Sequence, residues 1–219
     1  MDTLDSRSLH YIDCFFQKFS KPGKAYYRLT TIADICFPDE MEDAYRIDIK
    51  KRQGGDQESQ QHHVLVRREG AQFMAEPQTL EIKPGDVVVW TTTDPKGFGF
   101  AIQGEGPDGK FDSTAITHNA VYTHAFGTPG DYEWMDANGG RVSGKVYVRS
   151  LDVNDVEQCK KWTAALSDGT VIVIRDDSAD PAEVEILAGQ TVFWAIERAA
   201  GISITDSRLV HKKEEYPDR

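Results

Sequence analysis

One ten-residue pattern occurs twice in this chain and limits its possible folds more than any other feature of the sequence. Residues 81–90 read EIKPGDVVVW and residues 185–194 read EILAGQTVFW. Each copy predicts two short strands joined by a turn. A second pair lies in the opposite order, since residues 126–134 read FGTPGDYEW and residues 19–27 read FSKPGKAYY. The sequence therefore predicts that one supersecondary unit is used twice, and that the N-terminal segment matches the second part of that unit.

Short β-rich runs fill the middle of the chain. The runs are VLVRRE, TLEIKPG, DVVVW, FGFAIQ, VYTHAF, DYEWMD and KVYVRS. Turn signals separate them, at Pro84-Gly85, Gly97, Pro107-Asp108-Gly109, Pro129-Gly130 and Asn138-Gly139-Gly140. Several strands at this spacing predict an all-β sandwich or barrel. A length of 219 residues is enough for two domains of about 100 residues each.

Residues 63–150 resemble a complete cupredoxin domain. The resemblance rests on the EIKPGDVVVW strand pair, on FDS at residues 111–113, on HAFGTPGDYEW and on a closing SGKVYV. The first half of the same pattern returns at residues 170–206, and the second half at about residues 9–50. The resemblance implies two Greek-key, cupredoxin-like β-sandwich domains, one of them completed by both chain ends.

The predicted boundaries follow from a polar segment at residues 54–61 and a helical pattern at residues 153–166. Residues 62–150 are predicted to form a complete domain. Residues 1–52 resemble the C-terminal half of such a domain and residues 169–210 its N-terminal half, and the latter is predicted to pair with residues 9–50. Residues 151–168 are predicted to be a helical connector and residues 211–219 a tail. The split domain closes either within one chain, as a circular permutation, or between subunits, as a domain swap. Either closure covers the apolar face and strand edges that a half-sandwich of about 45 residues leaves exposed.

Blue copper proteins hold their metal with two His, one Cys thiolate and a weak axial Met. By resemblance, the first His position falls on Phe98, the Cys position on Asp136 and the second His position on Gly139. The loop of residues 136–143 has no Met, and Leu29 stands near the Cys position of the split domain. The resemblance therefore implies a scaffold that has lost blue copper and carries no cofactor.

A non-standard metal site is the alternative interpretation. His118 precedes the VYTHAF strand at the end where cupredoxins hold their metal, so His118, Asp94 and Asp136 are candidates to converge there on copper or zinc. Such a site would make the protein a metal-dependent oxidoreductase or a copper-handling protein. The simpler interpretation places His118 in a turn, His124 on a half-solvated strand face and His62 on the surface.

Motifs of common enzymes give no stronger lead. The sequence has no GxSxG elbow, P-loop or HExxH, and no GxGxxG between a strand and a helix. The leading prediction is a non-catalytic protein-binding or assembly subunit, which contacts another protein or a second copy through Phe98, Trp134 and Arg141. Trp134 is also predicted to lie in the core, like Trp90 and Trp194 at corresponding positions. A third hypothesis is an enzyme with a small-molecule pocket between the sandwiches.

Charge and termini bear on partners and location. Thirty-six acidic and 25 basic residues give a formal charge of -11, which argues against nucleic acid and anionic membrane surfaces as partners. The first residues lack a basic region followed by an apolar run, and no apolar stretch is long enough for a bilayer, so we expect a cytoplasmic protein. Cys14, Cys36 and Cys159 contain no CxxC and are predicted to be inert thiols.

Overall fold

The computed structural model describes residues 3–31, 45–52, 58–70, 72–95 and 97–211. Most of these residues lie in strands. The strands of the first half are β1 Asp13–Lys18, β2 Gly23–Thr30, β3 Tyr45–Ile49, β4 Gln61–Glu69, β5 Gln72–Glu76, β6 Thr79–Ile82, β7 Val87–Thr92, β8 Ala101–Gly106 and β9 Gly109–Asp112. The second half contains β10 Ala120–Ala125, β11 Gly130–Met135, β12 Ser143–Arg149, α1 Val156–Asp168, β13 Thr170–Arg175, β14 Ser178–Asp180, β15 Glu183–Leu187, β16 Thr191–Arg198, β17 Thr205–Asp206 and α2 Ser207–His211.

An eight-stranded sheet runs through both halves of the molecule, in the order β14-β13-β16-β10-β1-β7-β4-β5. The two central strands, β1 and β10, are antiparallel, and their register runs from Asp13 opposite His124 to Gln17 opposite Ala120. On either side of this pair the strands correspond one to one: β7, β4 and β5 match β16, β13 and β14. We call the β1–β10 junction the seam, because it joins the halves into one sheet.

Two smaller sheets complete the sandwich. They have the orders β6-β3-β2-β8-β9 and β15-β12-β11-β17. Aromatic contacts join each of them to one half of the large sheet: Tyr27 of β2 packs edge-on against Trp90 of β7, and Trp134 of β11 packs edge-on against Trp194 of β16. The all-β sandwich predicted from the sequence is confirmed.

Side-chain alternation explains how these strands form a core. Successive side chains of a strand point to opposite faces, so β1 buries Asp13, Phe15 and Gln17 and leaves the residues between them less buried. The three predicted core tryptophans are buried as well, each at most 1% exposed. Burying an aromatic residue of this size stabilises the fold by about 2–3 kcal/mol relative to leaving it exposed.

Each small sheet ends at an edge segment that precedes a central strand of the large sheet, residues 4–6 before β1 and β9 before β10. The amide of Ser6 donates to the Ile204 carbonyl, and the amide of Asp206 donates to the Leu4 carbonyl, so residues 4–6 extend the sheet edge at β17. In the same way β9, which begins the second half-pattern, pairs with β8 of the first. Ser6 Oγ accepts from the Ile204 amide at 3.1 Å.

A matching bond occurs in the first half, where Ser113 Oγ accepts from the Ile102 amide, also at 3.1 Å. The two serines lie in corresponding sequences, LDS at residues 4–6 and FDS at residues 111–113. Sequence analysis noticed FDS as part of the resemblance and missed LDS. The correspondence therefore reaches the first described turn of the chain.

The strand pairing differs from the predicted domain division. β1, β2 and β3 pair with β7, β8 and β6, and β10, β11 and β12 pair with β16, β17 and β15. Residues 62–150 thus do not close as one sandwich, and no described strand of residues 9–50 pairs with a strand of residues 169–210. Corresponding half-patterns are interchangeable partners, so the chain closes each half with its neighbour in sequence, which needs the shorter loop.

Helix α1 lies within the segment where the helical connector is expected. Asp155 caps its first turn by accepting from the amides of Glu157 and Gln158, and Gly169 ends it with a φ of 65°. Trp162 fixes the helix to the sandwich, since its indole N–H donates to the Ala188 carbonyl at 3.0 Å. Neither helix of the described chain is long and apolar enough to cross a bilayer. The predicted tail at residues 211–219 lies outside the described residues, apart from its first residue.

Candidate functional site

Asp136 lies where the cupredoxin resemblance implies the copper thiolate, directly after β11. Its carboxylate is buried and accepts from three backbone amides: Oδ1 from Asn138 at 2.9 Å and Ser203 at 2.8 Å, and Oδ2 from Gly140 at 2.8 Å. The Ser203 hydroxyl donates to Oδ1 as well, at 3.2 Å. A Cβ at Gly140 would lie 2.3 Å from Oδ2, so this close approach requires glycine.

These hydrogen bonds bear on whether Asp136 could act as a metal ligand at the position that the resemblance implies. Both oxygens of Asp136 already accept N–H donors, whereas a metal ligand needs a lone pair directed at the ion. The bond to Ser203 also ties the loop after β11 to the loop between β16 and β17. The residues present therefore do not fit a type 1 copper ion, and this end of the second half is closed by a hydrogen-bonded loop.

The other two candidate metal ligands do not join Asp136. His118 lies exposed in the turn before β10, and Asp94 lies exposed in the loop after β7. Over the described ranges, no three His, Cys, Asp or Glu side chains come together as a metal site. The predicted convergence of His118, Asp94 and Asp136 is therefore wrong, because only Asp136 points into the sandwich.

The three predicted partner-binding residues have different environments. Phe98 is 67% exposed, and the guanidinium of Arg68 lies 3.8 Å from the centre of its ring. Arg141 is exposed as well. Trp134 is only 1% exposed, so it cannot contact a partner. Its prediction as a core residue is therefore correct, and its prediction as a partner-binding residue is wrong. Phe98 and Arg141 remain predicted contact residues.

A polar cluster that sequence analysis missed is buried at the seam. Asp13 Oδ1 accepts from Tyr122 Oη and from His124 Nδ1, both at 2.7 Å, and its Oδ2 accepts from the His10 amide at 2.8 Å. Asp13 and His124 have no exposed side-chain surface. Burial raises the pKa of Tyr122, and the adjacent Asp13 carboxylate raises it further, so the hydroxyl stays protonated and donates.

The prediction of a half-solvated face for His124 is thus wrong. Its ring packs edge-on against Phe126, with 4.6 Å between centroids, and its Nε2 has no hydrogen-bond partner among the described residues. His124 is buried because β1 lies beside β10, a pairing that was not predicted from the sequence. Since the whole cluster is enclosed, we assign it a structural role in joining the two halves.

A second polar cluster fixes the turn between β6 and β7. Asp86 accepts from the amides of Gln60 and Lys83, from Arg52 Nη2 at 3.1 Å and from His62 Nε2 at 3.0 Å. Burial favours a raised pKa for Asp86, but these backbone and His62 hydrogen bonds outweigh it and hold the pKa below its usual value. His62 is therefore a partner of a buried carboxylate, and its prediction as a plain surface residue is wrong.

Gln190 holds the corresponding position in the second half. Its Oε1 accepts from the Leu187 amide at 2.6 Å, as Asp86 accepts from the Lys83 amide. Arg52 donates to the Pro84 carbonyl as Trp162 donates to that of Ala188. Asp86 and its neighbours therefore stabilise a turn, because a neutral amide does the same work in the other half.

A groove lies over the seam, on the face of the eight-stranded sheet that points away from the small sheets. Its volume is about 710 Å³. The half-buried side chains of Phe16, Val121 and Ala195 form an apolar row across β1, β10 and β16, since Phe16 is opposite Val121 and Val121 is opposite Ala195. Lys18 and Glu197 lie on the rim. We call this feature the seam groove.

The Cys14 thiol differs from that of a reactive cysteine. Cys14 is half-buried on β1, and burial raises the pKa of its thiol. A raised pKa keeps the less nucleophilic protonated form, as expected for an inert cysteine. Cys159 is half-buried on α1, and Cys36 lies outside the described residues.

Comparisons with known proteins add no identification. No protein-family model, no curated protein and no solved structure matches this chain.

Proposed function

We propose that this protein is a non-catalytic binding protein, built on a duplicated cupredoxin-like sandwich that has lost blue copper, and that its ligand site is the seam groove. The observation that carries the proposal is the groove itself. A volume of about 710 Å³ lies in the range of ligand pockets, about 300–1,000 Å³. Its apolar floor with polar groups on the rim is typical of small-molecule sites.

The state of the former metal position supports the same proposal. In a cupredoxin, the loop after the strand corresponding to β11 carries the copper ligands, whereas here it carries a carboxylate saturated by amides. The corresponding strands, serine bonds and turns of the two halves support the duplication. A protein with these properties has kept a rigid scaffold and has a binding surface at the junction of its halves.

The first test uses an uncharged dye whose fluorescence rises in apolar surroundings. We expect Nile red to bind the wild-type protein saturably with one site per chain, and Ala195→Trp to weaken binding at least about tenfold, because an indole then fills the floor of the groove. Asp177→Trp is the matched control, since it adds the same indole at an exposed turn position between β13 and β14. Unsaturable dye uptake, or equal binding by both variants, contradicts the proposed site.

The second test addresses the lost metal. After incubation with copper and zinc and extensive dialysis, elemental analysis is expected to find less than stoichiometric metal in the untagged protein, and any copper retained is examined by electron paramagnetic resonance. Stoichiometric metal that disappears in His118→Ala or Asp136→Asn would overturn the proposal and restore a metal site.

A further inference from the structure

The seam groove has a second property: a row along one side of its apolar floor contains a lysine and two residues with side-chain amides. Lys18 of β1 is opposite Val87 of β7, and Val87 is opposite Gln61 of β4. On the other side, the Lys18 amide donates to the Asn119 carbonyl at 2.8 Å, which places Asn119 next in the row. Lys18 therefore has Asn119 next to it on one side, and on the other side the apolar Val87 separates it from Gln61.

The charge of Lys18 is available to a ligand. Lys18 is exposed, and its ammonium forms no ion pair with a described residue. Glu197, the acid on the rim, is bound by Arg175 through two hydrogen bonds of 2.6 and 3.0 Å. Among the charged residues that line the groove, Lys18 is therefore the one without an ion-pair partner in the described chain, although the formal charge of the whole chain is -11.

From this arrangement we infer that the seam groove binds an amphipathic monocarboxylate of the fatty-acid class, an inference that rests on the proposed binding function. The alkyl chain lies on the row of Phe16, Val121 and Ala195, where contact with apolar side chains removes it from water. The carboxylate accepts from the ammonium of Lys18 and from the side-chain amide of Asn119 beside it. A cationic or uncharged amphiphile lacks the second set of contacts.

Asn119 adds an observation independent of charge. Its φ is 64°, a left-handed conformation that non-glycine residues adopt infrequently. This conformation ends the turn before β10 with the Asn119 carbonyl directed at Lys18, so the turn fixes the backbone from which the lysine extends. The backbone that carries Lys18 is thus held by a defined turn.

The test measures binding of dodecanoate below its micelle-forming concentration by isothermal titration calorimetry, with dodecanol and dodecyltrimethylammonium as probes of equal chain length. We expect one dodecanoate per chain and binding about tenfold tighter than that of dodecanol, since a hydrogen-bonded charge contact contributes about this factor. Lys18→Gln is expected to remove the preference, and Lys18→Arg to keep it. Lys24→Gln, at an exposed lysine of β2 on the other side of the sandwich, is the control and is expected to leave both affinities unchanged.

The outcomes separate this inference from the proposed function. Equal affinity for dodecanoate and dodecanol, with both lost in Ala195→Trp, overturns the carboxylate specificity and leaves the groove as a binding site. A carboxylate preference that persists in Lys18→Gln overturns the role of Lys18. If neither dodecanoate nor Nile red binds the wild-type protein, the inference and the proposed function both fail.

Discussion

At the scale of single residues, the chemistry of this protein depends on carboxylates that accept hydrogen bonds inside the fold. Asp136 accepts hydrogen bonds from three backbone amides. Asp13 accepts hydrogen bonds from a hydroxyl, an imidazole and a backbone amide at the seam. Each is a charged group that is tolerated in the interior because several donors surround it.

Asp136→Ala is expected to lower the free energy of unfolding by about 2–3 kcal/mol, because the Asn138, Gly140 and Ser203 amides lose their acceptor. Urea denaturation followed by circular dichroism measures the change. Asp177→Ala, at an exposed turn position, is the control and is expected to stay within about 0.5 kcal/mol of the wild type. Equal effects of the two substitutions would show that the loop after β11 does not depend on Asp136.

Asp13→Ala is expected to be more damaging, with a loss of at least about 3 kcal/mol, since Tyr122 and His124 are then left as buried donors without an acceptor. Gln17→Ala is a comparison on the same strand: Gln17 is also buried, but within the described residues its side chain forms a single hydrogen bond, to the adjacent Lys18 carbonyl. A loss for Asp13→Ala no larger than that for Gln17→Ala would contradict the role of the seam cluster.

At the scale of elements, turns of the same shape are fixed by different chemistry in the two halves. The turn between β6 and β7 uses Asp86, Arg52 and His62, whereas the turn between β15 and β16 uses the neutral Gln190 and the indole of Trp162. The backbone amide that must be satisfied is the same in both, and either a carboxylate or an amide oxygen can accept from it. Only the charged version makes stability depend on pH.

The pKa of Asp86 is lower in the folded protein than in the unfolded chain. Its ionised form therefore stabilises the fold fully at pH values above the unfolded pKa of about 3.9, and this contribution is lost as the pH falls through the lower folded pKa. We expect the cost of Asp86→Asn, measured by urea denaturation, to be largest near pH 7 and to shrink below about pH 4. Gln190→Glu, in the corresponding turn, is not expected to reproduce this profile, because it lacks the Arg52 and His62 partners. A pH-independent cost for Asp86→Asn would contradict the linkage.

At the scale of the whole molecule, the seam makes one sheet of two halves. β1 and β10 pair along five residue positions, and residues 4–6 of the first half extend the small sheet of the second half at β17. Unfolding either half therefore exposes strand edges and apolar surface of the other. We infer that the halves unfold together.

The positions of the tryptophans allow a direct test of this coupling. Trp90 is the tryptophan of the first half, and the other three lie after residue 130, so fluorescence of Trp90→Phe reports the second half alone. We expect urea transitions of this variant to coincide when followed by fluorescence and by far-ultraviolet circular dichroism, which reports both halves. Fluorescence that remains native while part of the circular dichroism signal is lost would show that the halves unfold independently.

Several features were predictable from residues alone. The strands follow from alternation between turn signals, and the burial of Trp90, Trp134 and Trp194 follows from their place in matching apolar strands. The candidate metal position could be examined in the same way, because a missing His or Cys is visible in the sequence. The convergence of His118 and Asp94 on Asp136 failed because loop side chains have no periodicity that fixes their direction.

The sequence by itself determined that this is an all-β sandwich and that its two halves contain corresponding strands, since alternation and turn chemistry act over a few residues. The tertiary structure alone decided which copy of each half-pattern pairs with which, because equivalent strands offer nearly equal partners and chain connection selects among them. It also decided the setting of His124 and of the seam groove. Both lie at the β1–β10 junction, where residues more than 100 positions apart in the sequence become neighbours.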